Sequence, residues 1–339
     1  MRSDIVKLAF VGTGNIAEQH MKYLKEFTDV KIVGLYDINE ETLLKGKRQF
    51  GGDAYKSIDQ MLDNSCPDAV YICLPPFAHG KAEFACIERG IHFLVEKPLS
   101  NDLNLAEKIA NEVSASEIIT CSAYMNRYRR GVNEAKKLLA KYPISLVYGG
   151  WLFDTPNNHP WITQKKLSGG QLLEQTTHLF DLVRYLCGEV LSVHCYGSKL
   201  IVPQTNRYDV EDATVVSMQL QSGAVANIQS SWSVGFDKYI YLNLFGPDIQ
   251  VEFRNWEFDT RIKSRGTTVP FEIPGEKDIF AIESRAFLDA VKQNDPTKIL
   301  CDYVEGVRSL KVSFAANKSL KTGNSIQLDS LDTTEYTRR

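Results

Sequence analysis

Short apolar runs alternate with amphipathic stretches over the first third of the chain. The runs fall at residues 5–11, 30–36, 69–74, 92–95 and 118–123, and between them 18–27, 40–50, 81–89 and 104–114 carry apolar residues at helical spacing. Strands that are apolar on both sides need cover on both faces. The repetition therefore predicts a parallel sheet with helices on either side, a doubly wound α/β arrangement.

Near Tyr124 the rhythm changes. A Pro- and Asn-rich loop at 154–161 leads to what reads as one helix over 171–187. Residues 213–221 and 225–232 alternate apolar with polar positions around Ser222-Gly223, the pattern of an antiparallel hairpin, and 239–245, 251–256 and 267–273 continue it. Two helices are predicted over 279–293 and 303–321. In 239–245, Ile240, Leu242 and Leu244 share one face while Tyr239, Tyr241 and Phe245 share the other, more apolar surface than one layer of helices can cover. The expected second domain is thus α+β with a large, mostly antiparallel, open-faced sheet, and its open face is expected to join copies into a homodimer or homotetramer.

The 339 residues suffice for two domains, and the formal net charge of −3 supplies no cationic field for nucleic acid or an anionic membrane. The start MRSDIVKLAFVGTG lacks the pattern of a signal peptide and no window holds 18 apolar residues, so a cytoplasmic location is expected. Seven scattered cysteines, never in a C-x-x-C spacing, argue against a disulfide framework and a zinc cluster. They read as small buried apolar residues, and no metal site is expected.

Gly12-Thr13-Gly14-Asn15-Ile16-Ala17 follows the first apolar run and opens the first helical stretch. Gly12 permits a tight turn, Gly14 lets the backbone approach a pyrophosphate, and Ala17 keeps helix and strand close; the helix start offers unpaired N–H groups to phosphates. Asp37 lies 20 residues beyond Ala17 at the end of the second run, where a carboxylate would bind ribose hydroxyls, or would cap the helix that follows. A 2′-phosphate would meet this charge with no compensating cation at Ile38 or Asn39, so NAD is expected in preference to NADP. The expected organisation is a Rossmann NAD(P)-binding domain over 1–123, a substrate-binding and oligomerisation domain over 124–330 and a polar tail over 331–339.

Further motifs lie at Leu74-Pro75-Pro76 with His79, Glu96-Lys97-Pro98, Asn126-Arg127-Tyr128, Gly169-Gly170 through His178 to Asp181, and Glu211-Asp212-Ala213. In their order and spacing these resemble the Gfo/Idh/MocA family of glucose-fructose oxidoreductases and inositol dehydrogenases, over nearly the whole chain. The resemblance implies an NAD(P)-dependent oxidoreductase acting on a sugar, inositol or related polyol, with Leu74, Pro75, His79 and Glu96 at the cofactor, Lys97 between the nicotinamide and the reacting hydroxyl, and a cis Lys97-Pro98 bond. Lys97 closes the run 92–95, and ligands of open α/β sheets bind outside such strand ends, although a lysine there can equally be a surface residue.

On a helix over 171–187, Glu174, His178 and Asp181 fall within about 60° of one another, apart from the face of Leu172, Leu179, Leu182, Val183 and Leu186. This predicts a carboxylate-imidazole-carboxylate stripe, with Gly169-Gly170 allowing a ligand close to the backbone. Many family members have Asp where this chain has Glu174, and Gln175-Thr176-Thr177 replaces smaller or apolar residues. Asn126, Arg127 and Trp161 are candidate substrate contacts, together with Tyr128 and Trp151 as walls; Arg127 reads equally as an interdomain ion pair and His79 as a cap. The expected chemistry is hydride transfer between a secondary alcohol carbon and the nicotinamide, in a cleft between the domains. Lys97 and His178 would manage the hydroxyl proton, with Glu174 beside them. An NAD-retaining glycoside hydrolase or epimerase, and a non-catalytic dinucleotide sensor, remain open alternatives.

Overall fold

The computed structural model describes residues 5–156, 160–266 and 268–330. They form two compact units: 5–125 with 280–307, and the described residues of 126–279 with 308–330. The polar tail at 331–339 lies outside the described residues.

In the first unit the elements run β1 (Val6–Val11), α1 (Asn15–Leu24), β2 (Val30–Tyr36), α2 (Glu40–Phe50), β3 (Asp53–Ala54), α3 (Ile58–Ser65), β4 (Ala69–Ile72), α4 (Lys81–Glu88), β5 (His92–Val95), α5 (Leu103–Ser114) and β6 (Thr120–Ser122). The strands make one six-stranded parallel sheet in the order β3-β2-β1-β4-β5-β6. β4 is buried at every position, as a strand covered on both faces must be. Side-chain caps fix the helix starts: Asn39 accepts from Thr42 N, Ser57 from Gln60 N, and Asp102 from Asn104 N and Leu105 N.

The second unit contains α6 (Arg130–Leu139), β7 (Leu146–Leu152), α7 (Lys165–Ser168), α8 (Gln171–Glu174), α9 (Thr177–Cys187), β8 (Val190–Ser198), β9 (Ala213–Leu220), β10 (Val225–Ser231), β11 (Tyr239–Phe245), β12 (Ile249–Arg254), β13 (Asp259–Ser264) and β14 (Phe271–Ile273). After them come α10 (Ile279–Gln293), α11 (Tyr303–Thr322) and β15 (Ile326–Gln327). The nine strands β7–β15 pair antiparallel except β7 with β10, in the order β14-β13-β12-β11-β7-β10-β9-β8-β15. The expected hairpin is β9-β10. Ile240, Leu242 and Leu244 point into one core with Leu179, Leu182, Val183, Val312 and Ala315, while Tyr148, Val215, Val225 and Tyr239 remain exposed.

Two expectations are revised. The segment 280–307, read from sequence as part of the second domain, packs into the first unit: Phe280 and Phe287 meet His20 and Tyr71 edge to face, and Asp29 binds Arg285 and Lys292. The helix over 171–187 is interrupted. Thr176 N bonds Gln171 O and His178 N bonds Gln175 O, so the ladder slips out of its four-residue step between α8 and α9. Gln175 Oε1 meanwhile accepts from Trp232 Nε1 at 2.7 Å and Gln171 Nε2 at 3.1 Å. Among the described residues no helix is long and apolar enough to cross a membrane.

Candidate active site

The turn after β1 is shaped by one close approach. Gly12 has φ +87°, and a Cβ there would lie 2.2 Å from Cys73 O, so no other residue fits. Gly14 is the N-cap of α1 without a side-chain cap, and a Cβ on it would meet nothing within 4 Å, so the space before Asn15, Ile16 and the buried Ala17 is open to a ligand. Asp37 ties the end of β2 to this turn: Oδ2 accepts from Thr13 N at 2.7 Å and Thr13 Oγ1 at 3.1 Å, and Oδ1 from Asn39 N at 2.8 Å. The helix cap is Asn39, which leaves Asp37 beside the turn. An uncapped helix start and a carboxylate at the adjoining strand end fit the pyrophosphate and ribose of a dinucleotide.

Beyond β4 the half-buried Leu74 and Pro75 precede His79, both of whose ring nitrogens are engaged. Nδ1 lies 2.5 Å from Glu83 Oε1 and Nε2 lies 3.1 Å from Leu74 O. His79 therefore clamps the loop from behind. Beyond β5, Glu96 is buried and Lys97 half-buried, and the Lys97-Pro98 bond is cis. Glu96 Oε1 pairs with His20 Nε2 at 2.9 Å and Oε2 accepts from Lys97 N at 3.2 Å. Burial and the nearby Glu96 charge push the Cys73 thiol well up, so it stays protonated. Six of the seven cysteines are buried and only Cys66 is exposed.

In the second unit His178 is buried and its imidazole stacks on the Trp151 indole, centroids 5.3 Å apart and planes 19° apart. Glu174 is half-buried at the end of α8, on the other side of the interruption. Asp181 does not extend a ligand-facing stripe. Its carboxylate is taken by Arg127, with Nη2 at 2.6 Å and Nε at 2.9 Å, and by Ser309 Oγ at 2.7 Å. Arg127 thus pairs within its own unit, with its guanidinium over the Tyr185 ring. Gly169 and Gly170 make room for side chains rather than for a ligand: added Cβ atoms would meet Leu173 Cδ2 at 2.4 Å and Lys165 Nζ at 2.9 Å. Trp161 packs beside the small cluster of Ile162, Tyr208, Val210 and Trp232.

Arg129 was not singled out by the sequence, although it lies three residues from Asn126. Its buried guanidinium donates to Asn126 Oδ1 and to the carbonyls of Trp256, Glu257 and Glu276, and burial pulls it down to about 10. Because a guanidinium only donates, the atom of Asn126 facing it is the oxygen, which turns Nδ2 the other way. His20 and Ser284 also escaped notice. A histidine on the buried face of α1, beside Ala17, Met21 and Leu24, was the legible signal.

A cradle of this kind on a doubly wound sheet defines a protein of the dinucleotide-binding class. The sequence model of an oxidoreductase family with an NAD-binding Rossmann fold matches residues 6–123, and that of the same family's C-terminal domain matches 143–252; the chain belongs to the Gfo/Idh/MocA family. It is similar to myo-inositol 2-dehydrogenase of Thermotoga maritima, 26% identical over 334 residues, which span 96% of this chain and 99% of that one. It is also similar to scyllo-inositol 2-dehydrogenase (NAD(+)) of Bacillus subtilis, 25% identical with 96% of each chain covered. The fold is shared with levoglucosan dehydrogenase in complex with NADH and levoglucosan, at a TM-score of 0.86 and 20% identity over 95% of this chain and 99% of that one.

Proposed function

We propose that the protein is an NAD-dependent dehydrogenase that interconverts a secondary alcohol and a ketone on a cyclic polyol or sugar. The observation that carries this reading is the grouping, in one unit, of the Gly12–Ala17 turn after β1, Asp37 after β2 and Lys97 after β5, all at C-terminal strand ends of one parallel sheet in which only β4 separates β1 from β5. The inositol and sugar dehydrogenases among its relatives support the substrate class. Bound NAD would accept the hydride at its nicotinamide ring.

The protein's own residues align the alcohol and manage its proton. Lys97, beyond β5, stabilises the developing alkoxide, and His178 exchanges the proton with its ring held flat on Trp151. Glu174 and the Nδ2 of Asn126 contact neighbouring hydroxyls. Leu74, Pro75, His79 and Glu96 shape the nicotinamide end. The open face of the second unit's sheet joins copies of the chain, a role that the exposed Tyr148, Val215, Val225 and Tyr239 support.

The test is NADH formation from NAD with inositols, aldoses, levoglucosan and glycosides, one at a time. Stoichiometric accumulation of NADH is expected with a polyol or sugar. Product formation without released NADH would point instead to a hydrolase or epimerase, and no reaction in either direction with any of them would refute the reading.

A further inference from the structure

Glu96 is a buried carboxylate with both oxygens in use, and what holds it is a histidine from another element. His20 lies on α1, its side chain fully buried, with Nε2 2.9 Å from Glu96 Oε1. Glu96 Oε2 receives the Lys97 amide at 3.2 Å. The ring has little freedom: Tyr71 and Phe280 meet it edge to face at 5.2 and 5.4 Å, and Ser284 Oγ lies 3.4 Å from Nδ1. With a carboxylate on Nε2, that nitrogen carries a proton, and the Ser284 hydroxyl can serve Nδ1.

Apolar residues of similar volume would fill this space at less desolvation cost than an imidazole and a carboxylate. The pair stands immediately before the residue assigned to the alkoxide, and His20 belongs to the helix that opens at the Gly14 turn. We propose that His20, acting through Glu96, is a positioning residue that fixes the peptide at Lys97 and thereby couples the dinucleotide-cradling helix to the strand end bearing the reactive amine. Glu96 then works from behind Lys97. Ser284, carried on α10, completes the device, which gives a functional reason for the return of 280–307 to the first unit. The kinetic part of this proposal rests on the role given to Lys97 above.

The experiment compares the full-length His20→Ala, His20→Gln, Glu96→Gln and Lys97→Ala proteins and the His20→Ala/Lys97→Ala double variant. Three readouts are taken: NADH binding by fluorescence, deuterium exchange of peptides covering 92–100, and turnover of NAD with myo-inositol or another polyol active in the screen. His20→Ala should lower kcat by about tenfold or more while KM and NADH affinity change less than about threefold. His20→Gln, which keeps an N–H toward Glu96, should recover most of the rate. The Lys97 amide should exchange faster in His20→Ala and Glu96→Gln. In the Lys97→Ala background, His20→Ala should cost nearly nothing more, because it acts through a residue already gone.

Equal losses with and without Lys97, or a folded His20→Ala protein with normal kcat, would overturn the proposal. If His20→Ala does not fold, His20→Gln and Glu96→Gln carry the same comparison. Normal turnover by Lys97→Ala would refute the catalytic reading instead. Unchanged exchange at the Lys97 amide in both His20→Ala and Glu96→Gln would sink the positioning role whatever Lys97 does.

Discussion

The Arg127 guanidinium closes on the Asp181 carboxylate at 2.6 Å, both side chains almost wholly buried, and Ser309 donates to the same oxygen. Removing one partner leaves an uncompensated buried charge. Arg127→Ala or Asp181→Ala should therefore destabilise the protein by about 3–5 kcal/mol, and the apolar double replacement Arg127→Met/Asp181→Leu by much less. Denaturant unfolding of the three variants checks this; a single variant as stable as the parent would show that the pair contributes little.

Lys97→Ala and His178→Ala should each slow turnover by about 10² to 10⁴-fold, the range for loss of an acid-base group. NAD affinity should change little, because the phosphate and ribose contacts are assigned to Gly12 to Ala17 and Asp37 rather than to either residue. The double variant should be scarcely worse than either single one if both serve the same proton. Single-turnover kinetics with separately titrated NAD distinguishes this from a binding defect.

Wild-type protein should bind NAD at least about tenfold more tightly than NADP, since a phosphate at the ribose meets the Asp37 charge. Ile38 is 92% exposed, so Ile38→Arg is sterically free, and with Asp37→Ser it should reverse the preference. Fluorescence titration with both cofactors reads the ratio. Tighter NADP binding by the parent would remove the assignment.

The pattern legible in the sequence was the local one. The parallel strands of the first unit lie within mostly apolar runs, so β1, β2, β4, β5 and β6 stood out while the two-residue β3 did not, and the glycine turn followed directly from its position after β1. The strands β7, β8 and β13 did not, because β7 carries the apolar Leu146 and Tyr148 on its exposed positions, while β8 and β13 place the polar Ser192 and Thr260 at buried ones, which breaks the alternation. Helical spacing located the apolar face of α9 correctly. It failed for the Glu174, His178 and Asp181 stripe because the ladder slips at Gln175, and because Asp181 finds its partner 54 residues away. Periodicity shows which face of α10 is apolar, but not that Phe287 will meet Tyr71.

Asp29 joins the first strand-helix repeat to α10 through Lys292 at 2.8 Å and Arg285 at 2.9 Å. Hydrogen bonds from these two cations hold its carboxyl down at about 2. The folded form thus releases this proton more readily than the unfolded chain. The stabilisation is complete above the ordinary carboxyl value near 3.8 and is lost as pH falls through about 2. Allowing for solvent screening, Asp29→Asn should cost about 1 kcal/mol at neutral pH. The gap between variant and parent should narrow below pH 4 and close only below pH 2, as unfolding followed across that window would show.

On the open sheet face Tyr148 stacks on Phe245 at 5.5 Å, beside the exposed Val225 and Tyr239. Sedimentation should find a dimer or tetramer at micromolar concentration, and Val225→Glu with Tyr239→Glu should shift it toward monomer. A monomeric parent would contradict the proposed association.

The division of the first unit into 5–125 and 280–307 also sets a timetable for synthesis. About 150 residues must be made between the last parallel strand and the helix that supplies Phe280, Ser284 and Phe287. At roughly 5–20 residues per second the emerging sheet waits about 8–30 s with Tyr71 and His20 uncovered. A chain stalled on the ribosome before residue 280 should accordingly remain open to protease around Tyr71, and should become resistant only after α10 has cleared the exit tunnel.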